Sequence, residues 1–223
     1  MNLYALIVAG GSGRRMGSEV PKQFLELAGK PVLMRTIEKF KSYDEAFEII
    51  VVLPRSQKEY WETLTGKYSF SVKHVIVAGG GSRFHSVKNG LNIISGEGLV
   101  AIHDGVRPLV SNDTINRCIR TAQKYGNAVP AVNPADSLRI VTEHGTIPLK
   151  RLDARIIQTP QVFNTTLIKK AYLQDYSEEF TDDATVLEKT GEIINLVDGN
   201  RENIKITTQE DLIISEALLS AIS

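Results

Sequence analysis

Leu3-Tyr4-Ala5-Leu6-Ile7-Val8 runs without a break into Ala9-Gly10-Gly11-Ser12-Gly13-Arg14-Arg15-Met16-Gly17, and Pro21-Lys22-Gln23 follows. Six consecutive apolar or aromatic residues predict a short strand buried on both faces. A buried strand that empties into a glycine-rich, doubly basic loop has the makings of a phosphate cradle. Glycines let the backbone reach positive φ and bring N–H groups close to an anion with no Cβ in the way. Arg14, Arg15 and Lys22 add fixed positive charge where a polyphosphate would lie.

Two familiar phosphate loops fail on spacing. A P-loop needs four residues between its glycines and then Lys-Ser/Thr, but five separate Gly11 from Gly17, and Ser18-Glu19 follows. A dinucleotide fingerprint has its last glycine one place earlier than Gly17. It also wants an acid at the end of the second strand, where this chain has Val52-Leu53-Pro54-Arg55.

Working outward, apolar runs at Phe47 to Leu53, Val75 to Ala78, Leu99 to His103 and Ala128 to Val132 read as further strands, mostly rich in Val and Ile. Helical patterns lie between them. Pro31 is placed at the first helical position with Leu33, Ile37 and Phe40 on one face, and Gln57 to Leu64, Ser82 to Ile94 and Asn112 to Lys124 follow. This alternation predicts an α/β fold, a doubly wound, Rossmann-like, mostly parallel sheet with helices on both sides. Ligands of such sheets bind beyond the carboxyl ends of the strands, where the Gly11 loop, Gly80 and Asp104 all fall.

The alternation breaks between Asn133 and Arg151. There Ala135 to Val141 and Ile147 to Lys150 flank a turn at Glu143-His144-Gly145, which reads as an inserted β-hairpin. A lone hairpin is marginal in water, so this one is expected to pack on something. The chain closes with a strand-like run, Ile193 to Val197, and a helix from Thr208. Thr208-Gln209-Glu210-Asp211 resembles a capping box, and Ile214, Ala217, Leu218, Ala221 and Ile222 are expected to form the buried stripe.

Composition bounds the class. With 223 residues and 42% hydrophobic content, residues 1–223 are expected to form one domain around a substantial core. The 26 basic and 26 acidic residues cancel, which argues against a nucleic-acid partner, so the local basic clusters are expected to serve a small anion. Cys118, the single cysteine, cannot form an internal disulfide, and the expected location is cytoplasmic. Residues 1–9 lack the length and charge of a signal peptide. No apolar run approaches the ~20 residues that span a bilayer, so no membrane partner is expected.

The residues also carry a resemblance. The first glycine-rich block with Pro21-Lys22-Gln23 is similar to the signature of the sugar-phosphate nucleotidyltransferases and, in detail, of the 2-C-methyl-D-erythritol 4-phosphate cytidylyltransferases. The similarity continues through Gly79-Gly80-Gly81-Ser82-Arg83, Ile102 to Pro108, Gln158-Thr159-Pro160-Gln161, Thr181-Asp182-Asp183-Ala184 and Asn203-Ile204-Lys205-Ile206-Thr207. The blocks fall in family order and span almost the whole chain.

That resemblance implies a CTP-dependent transferase with Mg²⁺ as cofactor, acting on a polyol phosphate as a homodimer joined through the hairpin arm at about 133–151. Arg15 and Lys22 would face the triphosphate, with Gly11, Ser12 and Gly13 as backbone donors. Ala9, Gly10, Gly80, Gly81 and Ser86 would form the base pocket, although Gly81 stands where many relatives carry Asp, which leaves that contact to backbone groups. Asp104, at a strand end, is the metal candidate, since Mg²⁺ needs only one or two carboxylates beside phosphates and water. His103 is expected to pack or hydrogen-bond structurally. Arg107 either organises the site through a carboxylate or touches the sugar phosphate. Arg151, supplied by the partner's arm, and Lys205 would hold the acceptor phosphate, with Arg155 competing for the place of Arg151. Thr181 and Ser137 would contact sugar hydroxyls. Asp182-Asp183 and Arg201-Glu202 read equally well as solvated faces or helix starts. A ribitol-5-phosphate cytidylyltransferase shares nearly all these blocks, and a non-catalytic nucleotide sensor is the more distant alternative.

Overall fold

The computed structural model describes residues 1–10 and 20–222. Its strands are β1 (Asn2–Val8), β2 (Glu26–Leu27), β3 (Lys30–Pro31), β4 (Phe47–Leu53), β5 (His74–Ala78), β6 (Gly98–Asp104), β7 (Asn127–Val132), β8 (Leu138–Thr142), β9 (Gly145–Leu149), β10 (Ile156–Ile157), β11 (Gln161–Asn164) and β12 (Leu196–Asp198). The helices are α1 (Val32–Tyr43), α2 (Lys58–Lys67), α3 (Arg83–Asn92), α4 (Asn112–Tyr125), α5 (Thr165–Ala171), α6 (Asp183–Glu188) and α7 (Gln209–Ile222).

The main sheet runs β5-β4-β1-β6-β11-β7-β10, with β12 beside β7. β5, β4, β1 and β6 are mutually parallel, while β11 lies antiparallel to both β6 and β7. The central strands are apolar throughout because both faces are covered. On β1, Ala5 and Ile7 point to one layer and Tyr4 and Leu6 to the other; β4 and β6 repeat the alternation. One layer takes its side chains from α1, α2 and α4, including Leu33, Ile37, Phe40, Trp61, Ile115 and Cys118. The opposite layer is built by α3, α5 and α6 through Phe84, Val87, Leu91, Ile168 and Leu187. Phe40 is fully buried, and its truncation to alanine would cost ~3–5 kcal/mol. Cys118 packs as a small hydrophobe, and burial pushes its thiol pKa up to about 12. The doubly wound expectation therefore holds.

Several local expectations do not. Pro31 caps α1 with extended backbone instead of opening it, so the helix begins one residue later. The run at 193–197 pairs only over β12, and Ile193 is exposed. β11 and α5 had no counterpart in the sequence reading, and α6 only the helix start offered at Asp182-Asp183. On α7 the capping box forms as expected: Asp211 N–H donates to Thr208 Oγ1 at 3.3 Å and Thr208 N–H to Asp211 Oδ2 at 2.9 Å. Its inward face, however, carries Leu212, Ser215 and Leu219 against Leu27, Val32, Val106 and Ile206, while Ile214, Ala217 and Ala221 face outward. Of the expected stripe only Leu218 is partly covered; the Ile222 side chain lies outside the described residues.

The inserted hairpin is present as β8 and β9, paired from Leu138↔Leu149 to Thr142↔Gly145. It forms its own two-stranded sheet, separate from the main one, with Ile140, Val141 and Ile147 exposed.

Candidate active site

The tip of β1 is fixed on both sides. Ala9 N–H donates to Val52 O on β4 at 2.9 Å, and Gly105 N–H, just past β6, donates to Val8 O at 2.9 Å. This approach requires glycine at 105, because a Cβ there would stand 2.8 Å from Ala9 Cβ and 3.1 Å from Leu33 Cδ1. Asp104, the last residue of β6, is thereby set beside the start of the glycine-rich loop.

Asp104 is nearly buried and its Oδ2 receives two cations, Arg107 Nε at 3.0 Å and Lys205 Nζ at 3.0 Å. Burial alone would raise the carboxyl pKa; the charges of Lys205, Arg83 and Arg107 outweigh it and hold the group well below the usual carboxylate range. Arg107 also donates from Nη1 to Asn203 O at 2.7 Å, so it organises the site through the carboxylate, one of its two expected readings.

His103 supports this arrangement from behind. The Arg107 carbonyl can only accept, so the proton sits on Nε2, 3.0 Å away, and Nδ1 accepts from the Thr159 hydroxyl at 2.9 Å. Thr159 Oγ1 accepts in turn from Asp104 N–H at 3.1 Å, and Asn203 Nδ2 donates to Thr159 O at 2.7 Å. Burial pushes the His103 pKa down to about 4, which keeps the ring neutral. Its structural role is as expected.

The opposite wall is the turn after β5. Ser82 caps α3, accepting from His85 N–H at 3.3 Å. Ser86 Oγ accepts from Gly80 N–H at 3.0 Å and donates to Ser82 O at 2.9 Å, so this hydroxyl shapes the loop. Gly80 leaves no room for a side chain: a Cβ would stand 2.4 Å from His85 Cβ. Gln23, fully buried, donates from Nε2 to Ala9 O at 2.9 Å and to Gln57 Oε1 at 2.6 Å, tying the Lys22 turn to the end of β1.

These groups line one cleft of about 330 Å³, formed by Val8, Ala9, Gly10, Lys22, Gln23, Gly80 to Arg83, Ser86, Asp104, Val106 and Lys205. Larger hollows exist elsewhere, but this one gathers the charged groups at the carboxyl ends of β1, β5 and β6, where open α/β sheets bind ligands. Of the sequence candidates, Ala9, Gly10, Lys22, Gly80, Gly81, Ser86, Asp104 and Lys205 meet here, and Arg107 braces them. Gly11, Ser12, Gly13, Arg14 and Arg15 lie outside the described residues. Ser137, Arg151 and Thr181 are exposed and do not line the cleft. Arg151 donates to Ala135 O at the hairpin base, and Arg155 borders a different hollow with Arg117 and Arg201. Arg83, Thr159 and Asn203 were quoted within motifs but assigned no part; their contacts join segments far apart in sequence, which spacing cannot reveal.

Asp182 opens α6 as its cap, whereas Asp183 is fully buried, so the solvated-face reading fails for it. Among the described residues no three His, Cys, Asp or Glu side chains cluster as a metal cage. Asp104 offers a single anionic ligand at the cleft. That donor set fits Mg²⁺, which takes most of its shell from phosphates and water, and does not fit a metal needing an all-protein site. No described helix is long and apolar enough to cross a membrane.

Comparison with known proteins converges. The family described as 2-C-methyl-D-erythritol 4-phosphate cytidylyltransferase matches residues 3–221. A relative of that name from Bacteroides fragilis is 53% identical over 215 residues, covering 96% of this chain and 98% of its own. Another, from Phocaeicola vulgatus, is 51% identical over 219 residues, with 98% and 100% coverage. In three dimensions the chain is similar to a 4-diphosphocytidyl-2C-methyl-D-erythritol synthase from Anaerococcus prevotii, with a TM-score of 0.82, 30% identity and 98% of both chains covered. With the strand-end cleft and the Asp104 cluster on the same scaffold, this chain belongs to the 2-C-methyl-D-erythritol 4-phosphate cytidylyltransferase family.

Proposed function

We propose that the cleft carries out the reaction of this family, transferring the cytidylyl group of CTP to 2-C-methyl-D-erythritol 4-phosphate and releasing pyrophosphate, a step in isoprenoid precursor synthesis. A phosphate oxygen of the acceptor attacks the α-phosphorus in line, the bond to the β-phosphate oxygen breaks, and pyrophosphate departs with that oxygen. The protein's task is placement and charge stabilisation, with little proton transfer. Lys22 and Lys205 both line the cleft; Lys22, with Arg15, neutralises the triphosphate, and Lys205 holds the acceptor phosphate. Ala9, Gly10, Gly80 and Gly81 present backbone groups to a pyrimidine in a space too small for loose binding. Ser86 acts by holding Gly80. Asp104 would hold Mg²⁺, which when bound would supply positive charge against the phosphates.

The observation that carries this reading is the shared Asp104 oxygen between Lys205 and Arg107, at the strand end beside Lys22 and the glycine turns. The acceptor side is completed by a second copy of the chain: the hairpin, paired only within itself among the described residues and exposing Ile140, Val141 and Ile147, is the dimer arm that carries Arg151 across, with Ser137 at its base and Thr181 on the receiving subunit. Each copy works as one nucleotidyltransferase domain, and the single buried free cysteine suits a reducing cytoplasm. The names of the relatives favour methylerythritol phosphate over ribitol phosphate.

The test is pyrophosphate release from CTP and Mg²⁺ with methylerythritol 4-phosphate and ribitol 5-phosphate offered side by side, using Lys22→Ala as the blank. Turnover of the first alone supports the reading. Preference for ribitol phosphate reassigns the acceptor, and nucleotide binding without release would mark a sensor.

A further inference from the structure

Asp183, in the first turn of α6, is fully buried, and its carboxylate is satisfied entirely by side chains. Arg83 grips it with both arms, Nη1 to Oδ1 at 2.8 Å and Nη2 to Oδ2 at 2.5 Å, and the Tyr172 hydroxyl donates to Oδ1 at 2.6 Å. Burial and the neighbouring Asp183 raise the Tyr172 pKa well above its ordinary value, so that hydroxyl stays a donor. The Tyr172 ring stacks on Phe84, the residue after Arg83, at 4.7 Å. An ion pair of this kind adds little net stability over apolar residues of the same volume, because Asp183 leaves water entirely and Arg83 in large part. Its value lies in geometry: a bidentate fork fixes distance and angle together.

The fork joins the cleft to a segment outside it, the one that carries Thr181. Arg83 opens α3, directly after the Gly79–Ser82 turn, and lines the cleft with Lys22, Asp104 and Lys205. Asp183 lies two residues after Thr181. The start of α6 is itself rigid, since Gln161 Nε2 donates to Asp182 Oδ2 at 2.7 Å and Ala184 N–H to Gln161 Oε1 at 2.9 Å, and Asp182 and Thr185 close a capping box. Movement of the cleft turn must therefore move the start of α6 or break the fork.

We propose that Arg83 is a positioning residue for the transfer: clamped by Asp183 and Tyr172, it holds the base-side turn Gly79–Ser82 at a fixed distance from the acceptor-side segment at Thr181, so that nucleotide and acceptor bind in one register. This rests on the reaction proposed above. Misplacement by about 1 Å at a reacting centre can cost ~10²-fold in rate, which sets the scale of the effect.

Arg83→Lys keeps the charge and loses the fork; Tyr172→Phe keeps the fork and loses one brace. Each would be compared with the intact protein in melting temperature, kcat, and the separate KM values for CTP and methylerythritol 4-phosphate. The clamp predicts folded variants in which kcat falls about tenfold or more for Arg83→Lys and severalfold for Tyr172→Phe, with both KM values raised. A merely structural pair would lower the melting temperature and the active fraction while leaving both KM values unchanged, and that result overturns the proposal. Should Arg83→Lys fail to fold, Tyr172→Phe decides alone: unchanged constants sink the clamp. Loss of turnover in the intact protein would instead refute the assigned reaction, and the clamp with it.

Discussion

Lys205 Nζ lies 3.0 Å from the Asp104 oxygen that Arg107 Nε also holds at 3.0 Å. Asp104 keeps one cationic partner when Lys205 is removed, so the fold should tolerate the loss while the site does not. Lys205→Met is expected to melt within a few degrees of the parent and to lose ~10²–10³ in turnover, the scale of one transition-state charge contact. A steady-state assay paired with thermal melting checks this; near-normal turnover in the folded variant would remove Lys205 from the machinery.

His103 predicts a pH dependence of stability. Its pKa is about 4 in the folded protein and ~6.5 when unfolded, so between those values the unfolded chain binds more protons. Stability should therefore be complete above about pH 6.5, fall as the pH drops, and level off near pH 4 as far as this group is concerned. Asp104, held low by its cations, adds a further loss below the ordinary carboxylate range. From pH 7.5 to pH 5 the expected decline from His103 is on the order of 2 kcal/mol, measurable as a lower urea midpoint. A midpoint that does not move over that range would falsify the buried neutral imidazole.

Gly80 and Gly81 should behave differently despite being adjacent. A Cβ at Gly80 meets His85 Cβ at 2.4 Å and the His85 carbonyl carbon at 3.0 Å, whereas at Gly81 nothing lies within 4 Å. Gly80→Ala is expected to displace the turn and raise the KM for CTP by tenfold or more, by the cost of misplacing a binding wall. Gly81→Ala should leave stability within about 0.5 kcal/mol of the parent. Equal effects of the two substitutions on CTP binding would contradict the geometry.

The hairpin makes a prediction about assembly. Because β8 and β9 pair only with each other among the described residues, replacing residues 138–149 by a short glycine linker should leave the main sheet intact. On the proposed dimer, sedimentation is expected to show a monomer, with acceptor turnover lost because the arm that would carry Arg151 to a neighbouring cleft is gone. A dimer that survives the replacement would show that the arm is not what joins the subunits.

The parts of this fold that sequence could reveal are those where burial is two-sided. β1, β4 and β6 carry apolar residues at nearly every position because helices cover both faces, and their boundaries differ from expectation by at most one residue. β11 was hidden because only Val162 and Phe163 are apolar, while Gln161 and Asn164 at its ends are committed to α6 and α5. The phase of α7 was misjudged because apolar residues surround that helix on most sides, leaving periodicity no single face to select. At the site, Asp104, Lys22 and Lys205 were legible as motif residues, but Arg83 and Asp183 find each other only after the sheet has brought α3 and α6 together.

Pro148 stands opposite Arg139 in the hairpin ladder and has no N–H to offer, while Arg139 folds over Thr146, with Nε to Oγ1 at 2.7 Å. An isolated hairpin with exposed apolar side chains and two open margins is otherwise a template for strand-by-strand growth into fibrils. Proline on one margin and a charged side chain laid across the ladder interrupt such growth. The segment can thus leave Val141 and Ile147 exposed without becoming a seed for aggregation during synthesis.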